Sequence, residues 1–68
     1  MRFENIKLTT KIGEVFELED MEAGSVQGFL MKFYGTNLVS LNETKQGQYF
    51  LVRSDSIDHI KFDMEEEQ

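Results

Sequence analysis

A chain of 68 residues with no Cys, no Pro and a net charge of −6 excludes a good deal before any motif is read. The length allows one domain, which buries only about 60% of its unfolded surface, and the missing cysteines rule out a disulfide staple and a Cys-based zinc site. The lone His59 cannot build a metal centre by itself, and the acidic balance opposes non-specific attraction to nucleic acid.

No secretory signal is apparent, and no apolar run approaches the ~20 residues of a membrane helix. A cytoplasmic protein without membrane contact is therefore expected, and the absence of Cys fits a reducing compartment. The acid excess is concentrated late in the chain, where Asp63 to Gln68 carries four acids and no base. This gives a folded domain over 1–62 and an acidic, disordered, solubilising tail over 63–68.

Taken in order, residues 1–10 are open between two readings. Phe3, Ile6 and Thr10 stand at helical spacing, whereas Ile6, Leu8 and Thr10 alternate like a strand. Gly13 to Asp20 reads as a strand, with Phe16 and Leu18 on one parity and Glu17 and Glu19 on the other. Met21 to Ser25 reads as a turn punctuated by Gly24. The crowd of Glu14, Glu17, Glu19, Asp20 and Glu22 lacks the residue order of a calcium loop, so it is read as a solvated face and no metal or cofactor is expected.

The longest mostly apolar stretch, Val26 to Leu41, carries apolar residues on both parities. It is read as a strand that bends between two packing surfaces, with Gly28 at the bend and a tight turn at Gly35-Thr36-Asn37. Glu43 to Gly47 is a polar turn. Gln48 to Arg53 is a strand apolar on both faces, hence buried or paired against a partner. Ser54-Asp55-Ser56 breaks it, and Ile57 to Phe62 closes the fold with Ile60 and Phe62 on one face. A C-terminal helix with Ile57, Ile60 and Met64 on one stripe is the alternative. No internal repeat stands out.

Five short strands with tight turns predict an all-β fold, a small, strongly bent open barrel of the SH3-like or OB-like kind. Such a barrel leaves strand edges unpaired. Pairing the fourth strand of one copy with the last strand of the next would cover both edges and close a ring.

With these elements in place the chain resembles the Sm/Lsm family. Ile12-Gly13 opens the Val15-Phe16-Glu17-Leu18 strand, and Gly28, Leu30 and Phe33 stand at the family's Gly-x-Leu-x-x-Phe spacing. Asn37-Leu38-Val39 is similar to the Asn-Leu-Val that follows in the family but comes one residue early, after a turn one residue shorter. Val52-Arg53-Ser54-Asp55-Ser56-Ile57-Asp58-His59-Ile60 is similar to the second motif. Tyr34 stands where the family has Asp, and Ser54 where it has Gly. The resemblance implies a short N-terminal helix, a five-stranded Sm-like barrel and a homo-oligomeric ring of six or seven copies. It also implies single-stranded RNA held inside the ring by Tyr34, Asn37, Arg53 and Ser54. A Tyr ring and an Arg plane can sandwich a base, worth ~1–3 kcal/mol, and an Asn amide can read a base edge.

Each of these residues also has a plain structural reading. Tyr34 can cap the barrel mouth, Asn37 can serve the turn, and Arg53 can pair with Asp55 or Asp58. A ring-forming RNA-binding protein is thus the expected function. An acidic protein-interaction module on the same kind of barrel is the alternative, as is a small acidic regulator of a mobile element that mimics nucleic-acid charge. No enzyme is expected, since no Ser/His/Asp or Cys/His set and no phosphate-cradling Gly-rich loop is present.

Overall fold

The computed structural model describes residues 1–35 and 38–66. Strands dominate: β1 (Arg2–Thr10), β2 (Val15–Glu17) and β3 (Met21–Glu22) come first. The one α-helix among the described residues, α1 (Val26–Tyr34), follows. Then come β4 (Val39–Glu43), β5 (Tyr49–Arg53), a 3₁₀ turn at Ser54–Ser56, and β6 (Ile57–Glu65).

β1 is the strand on which the first sheet is built. On one side it pairs antiparallel with β2 and β3, and on the other with β6. The register Leu8↔Phe16 in β2 is continued by Phe3↔Met21 in β3. The Leu18 amide donates to the Ile6 carbonyl in the same register. β2 and β3 are therefore two ends of one interrupted strand. The second sheet is the β4–β5 hairpin, joined to the first through the Leu18↔Thr44 bridge. The mostly β expectation holds at this level. Among the described residues the sheets do not form a closed barrel.

The ambiguity over residues 1–10 is resolved by a bulge. Glu4 pairs with Asp63 and Lys7 with Lys61, so Asn5 and Ile6 together face Phe62. Asn5 takes φ 50°, a left-handed conformation that Asn tolerates better than most residues. The extra residue switches the inward parity, so Phe3 and then Ile6, Leu8 and Thr10 all point to the core. The Asn5 amide donates to the Asp63 carboxylate at 2.8 Å and ties the bulge to β6. A second irregularity lies in β6, where Asp58 is the extra residue between the Thr9↔His59 and Thr10↔Ile57 pairs. It reverses parity again, so Ile57 and Ile60 face the same way despite their spacing of three.

The bent strand expected at Val26 is a helix instead. Val26, Phe29, Leu30 and Phe33 follow the i, i+3, i+4, i+7 pattern of an amphipathic helix; Phe29 and Phe33 are fully buried, and Val26 and Leu30 pack partly against the core. What reads as two strand parities is one helical stripe. Ser25 is the N-cap, its hydroxyl accepting from the Gly28 amide at 3.0 Å. No N-terminal helix forms, because β1 occupies that place. The expected turn at Met21 starts later, since Met21 and Glu22 pair with β1. At the other end β6 runs past the expected domain limit of residue 62, and Asp63 to Glu65 pair with β1.

Two hairpin turns share one construction. Thr10-Lys11-Ile12-Gly13-Glu14 and Thr44-Lys45-Gln46-Gly47-Gln48 both place a positive-φ glycine fourth, at 90° for Gly13 and 79° for Gly47. In both, the Thr amide donates to the fifth residue's carbonyl, and the Thr hydroxyl accepts from the fifth residue's amide at 3.1 Å. Phe16 and Phe50, two residues beyond each turn, stack at 4.3 Å. A short repeat is thus present where none was expected.

The core is a cluster of aromatic rings. Phe3 from β1 lies flat on Phe29 of α1 at 4.1 Å and 6°, and Phe33 and Phe62 meet Phe29 edge-on at 5.4 and 4.9 Å. Ile6, Leu8, Leu18, Val52 and Ile57 complete it.

Candidate functional site

The end of α1 and the 3₁₀ turn meet. The Ser54 hydroxyl donates to the Phe33 carbonyl at 2.7 Å, so it serves a terminal helix carbonyl that the helix cannot bond itself. This sets Tyr34, the last helical residue, beside the Arg53–Ser54 junction. Burial, reinforced by the Asp58 charge, pushes the Tyr34 phenol up from its usual value. Arg53 ends β5 and grips Asp55 with two nitrogens, each 3.1 Å from a carboxylate oxygen. That grip, a hydrogen bond before a charge effect, holds the Asp55 carboxyl below its ordinary range. Of the residues expected at an RNA pocket, Tyr34, Arg53 and Ser54 are therefore gathered at one corner. Asn37 lies outside the described residues.

A different surface stands out on the β4–β5 hairpin. Its register pairs Val39 with Arg53, Leu41 with Leu51, and Glu43 with Tyr49. Directly opposed residues of an antiparallel pair share a face, and these point outward. Leu41 is 67% exposed, Tyr49 68% and Leu51 70%. The opposite face carries Val52 and Phe50 into the core. The signal was visible in sequence as a strand apolar on both faces; only the register tells which half is left uncovered.

This face adjoins an open strand edge. Among the described residues β5 pairs only with β4. The Ser54 amide donates to the Leu38 carbonyl and the Thr44 amide to the Gln48 carbonyl. In an antiparallel ladder, bonded pairs alternate with unbonded ones. The amides and carbonyls of Tyr49, Leu51 and Arg53 thus point away from β4. On that side lies a groove of about 380 Å³ between β5 and the β1–β2 turn, with Phe16 and Phe50 in its wall and Ile12 and Leu51 at its rim. Ile12 is 83% exposed.

Among the described residues β6 also has an open edge, and it differs in chemistry. Asp58, Lys61, Asp63 and Glu65 flank it with charge, the usual protection against unwanted strand pairing. The acids crowd at the Arg2 end of β1. There Arg2 bonds Asp20 at 2.8 Å, and the neighbouring Glu65 charge, more than burial, raises the Glu4 carboxyl above its ordinary value. Among the described residues no group of three or more His, Asp or Glu side chains is placed to hold a metal ion. No described helix is long and apolar enough to cross a membrane.

No protein-family model matches this chain, and neither a curated protein nor a solved structure matches it.

Proposed function

We propose that this chain is a non-catalytic protein-interaction module, an SH3-like arrangement of bent strands in which the β4–β5 hairpin is the docking surface. One observation carries the reading. Exposed Leu41, Tyr49 and Leu51 form an apolar face directly beside the edge of β5, which pairs only with β4 among the described residues. Addition of a strand to such an edge gives affinity through main-chain hydrogen bonds and specificity through side chains on the faces.

The test is a photo-crosslinking amino acid at position 51, compared with one at position 61 on the charged β6 edge. Protein adducts that survive nuclease and depend on position 51 are expected. Equal adducts at both positions, or adducts to nucleic acid alone, would overturn the reading.

A second reading, the Sm-like ring that binds single-stranded RNA, draws support from the Ser54–Phe33 bond, which joins the end of α1 to the turn that follows Arg53. Fluorescence anisotropy with oligo-U and oligo-A would detect it. Binding must be present in the native chain and fall in the Tyr34→Ala, Arg53→Ala double variant for this reading to stand.

A further inference from the structure

We infer that the partner on the β5 edge is a second copy of this chain, paired antiparallel about a two-fold axis at Leu51. The inference rests on the docking surface proposed above and names its occupant. Its basis is that this edge is complementary to itself.

The outward main-chain groups of β5 belong to Tyr49, Leu51 and Arg53, as the bonding pattern within the hairpin requires. A two-fold axis at Leu51 sets Leu51 against Leu51 of the second copy and Tyr49 against its Arg53. All of these pairs fall at bonding positions, so every outward amide of the edge meets an outward carbonyl. The exposed faces also match. Leu51, flanked by Leu41 on the neighbouring strand, continues an apolar band across the junction. Arg53 brings a guanidinium whose edge is already held by Asp55. Its flat face is then available to the Tyr49 ring of the second copy, a pairing that guanidinium groups favour.

Charge decides between a copy of the same chain and mutual repulsion. A net charge of −6 would hold copies apart if it were spread evenly. It is not. The outward face of the hairpin carries Glu43 and Arg53, and with Asp55 held on Arg53 this patch contributes only one of the six net negative charges. The crowd of Glu4, Asp20, Asp63 and Glu65 sits at the Arg2 end of β1, whereas the Thr10 end lines the groove beside β5. At ~3.3 Å per residue, the length of β1 separates the two ends by roughly 25 Å. That is about three Debye lengths at physiological salt. The alternative of β5 meeting β6 of a second copy, as in a ring, would set Tyr49 and Leu51 against an edge flanked by Asp58, Lys61 and Asp63.

The register makes the inference testable, because the native chain contains no cysteine. In Leu51→Cys the two thiols would sit on a bonded antiparallel pair, with Cα atoms ~5.5 Å apart, within disulfide reach. In Leu41→Cys they would be three strand spacings apart, roughly 14 Å, and out of reach. Both side chains are exposed, so both variants keep the fold. The expected result is a molar mass twice the 8.0 kDa of the chain, rapid disulfide dimerisation of Leu51→Cys, and none of Leu41→Cys under the same mild oxidation. Leu51→Lys should weaken self-association by tenfold or more, equivalent to ~1.4 kcal/mol or above. Equal cross-linking of the two cysteine variants, a ring-sized mass, or a monomer throughout a concentration series would overturn the inference. A monomer whose position-51 probe still captures another protein would sink the self-pairing and leave the interaction module standing. A monomer that captures none would sink both.

Discussion

Asn5 is the residue on which the first sheet turns. Its φ of 50° is costly for a side chain branched at Cβ, by about 1–2 kcal/mol, and its amide bond to Asp63 helps hold the chain there. Asn5→Val should lower stability to chemical denaturation by about 2 kcal/mol, through that strain and the lost bond. Asn5→Gly, which loses the bond but accepts the conformation, should lose about half as much. Equal losses would mean that the bulge does not need a left-handed residue. Glu4 offers a test of a different kind. The folded chain binds its proton more tightly than the unfolded chain, because of Glu65 first and burial second. This contribution to stability is therefore present below the ordinary carboxylate range and disappears as pH rises through the raised value. Asp55 has the opposite sign, its contribution fading as pH falls through a lowered value. Glu65→Gln should bring the Glu4 titration, followed by NMR, down toward its ordinary value. It should also raise Tm at neutral pH but leave Tm in strong acid unchanged.

At the scale of the element, α1 depends on how it starts and stops. Ser25 supplies the starting cap. At the other end Gly35 is required by space and not by a left-handed backbone, since its φ is −76°. A Cβ there would stand 2.5 Å from the Met31 carbonyl oxygen. Gly35→Ala should therefore cost about 1–3 kcal/mol, as strained backbone substitutions do, and should loosen the last turn that carries Phe33. Circular dichroism combined with thermal melting would register both effects, and an unchanged melt would refute the close approach. The matched hairpins are the other element-level device. In each, the Thr hydroxyl accepts from an amide just beyond the turn, which defines where the strands reverse and hence where Phe16 and Phe50 meet.

At the scale of the whole molecule, a chain this short has little interior, and four phenylalanines supply much of it. Phe29 contacts Phe3, Phe33 and Phe62 and so joins helix to sheet. Phe29→Ala should cost about 3–5 kcal/mol. Domains of this size are stable by only ~3–10 kcal/mol, so the variant should be largely unfolded at physiological temperature by near-UV signal and amide exchange. Retention of a sharp, cooperative melt near the native midpoint would show that the core lies elsewhere. The same shortage of interior bears on the docking reading. The β4–β5 hairpin has apolar residues for two faces, and this chain supplies a core for only one of them.

Local pattern by itself determined the mostly β composition, the turn at Gly47, the alternation of Phe16 and Leu18, and the closing strand through Phe62. Each depends on neighbours one or two residues away, where a positive-φ glycine or a period of two is legible. Gly13, read as the start of a strand, belongs instead to the turn before it. Tertiary structure alone decided the rest. Phe3 to Ile6 and Ile57 to Ile60 are spaced by three, which suits a helix, yet a bulge at Asn5 and another at Asp58 make both spacings compatible with a strand. Val26 to Phe33 suits two strand parities, yet packing of Phe29 and Phe33 on the sheet makes it a helix. The gathering of Tyr34 with Arg53 and Ser54, and the exposure of Leu41, Tyr49 and Leu51, depend on registers between strands far apart in sequence. An apolar side chain carries the same hydrophobic free energy whichever way it points; the partner strand selects the direction, and a one-residue shift in pairing reverses it.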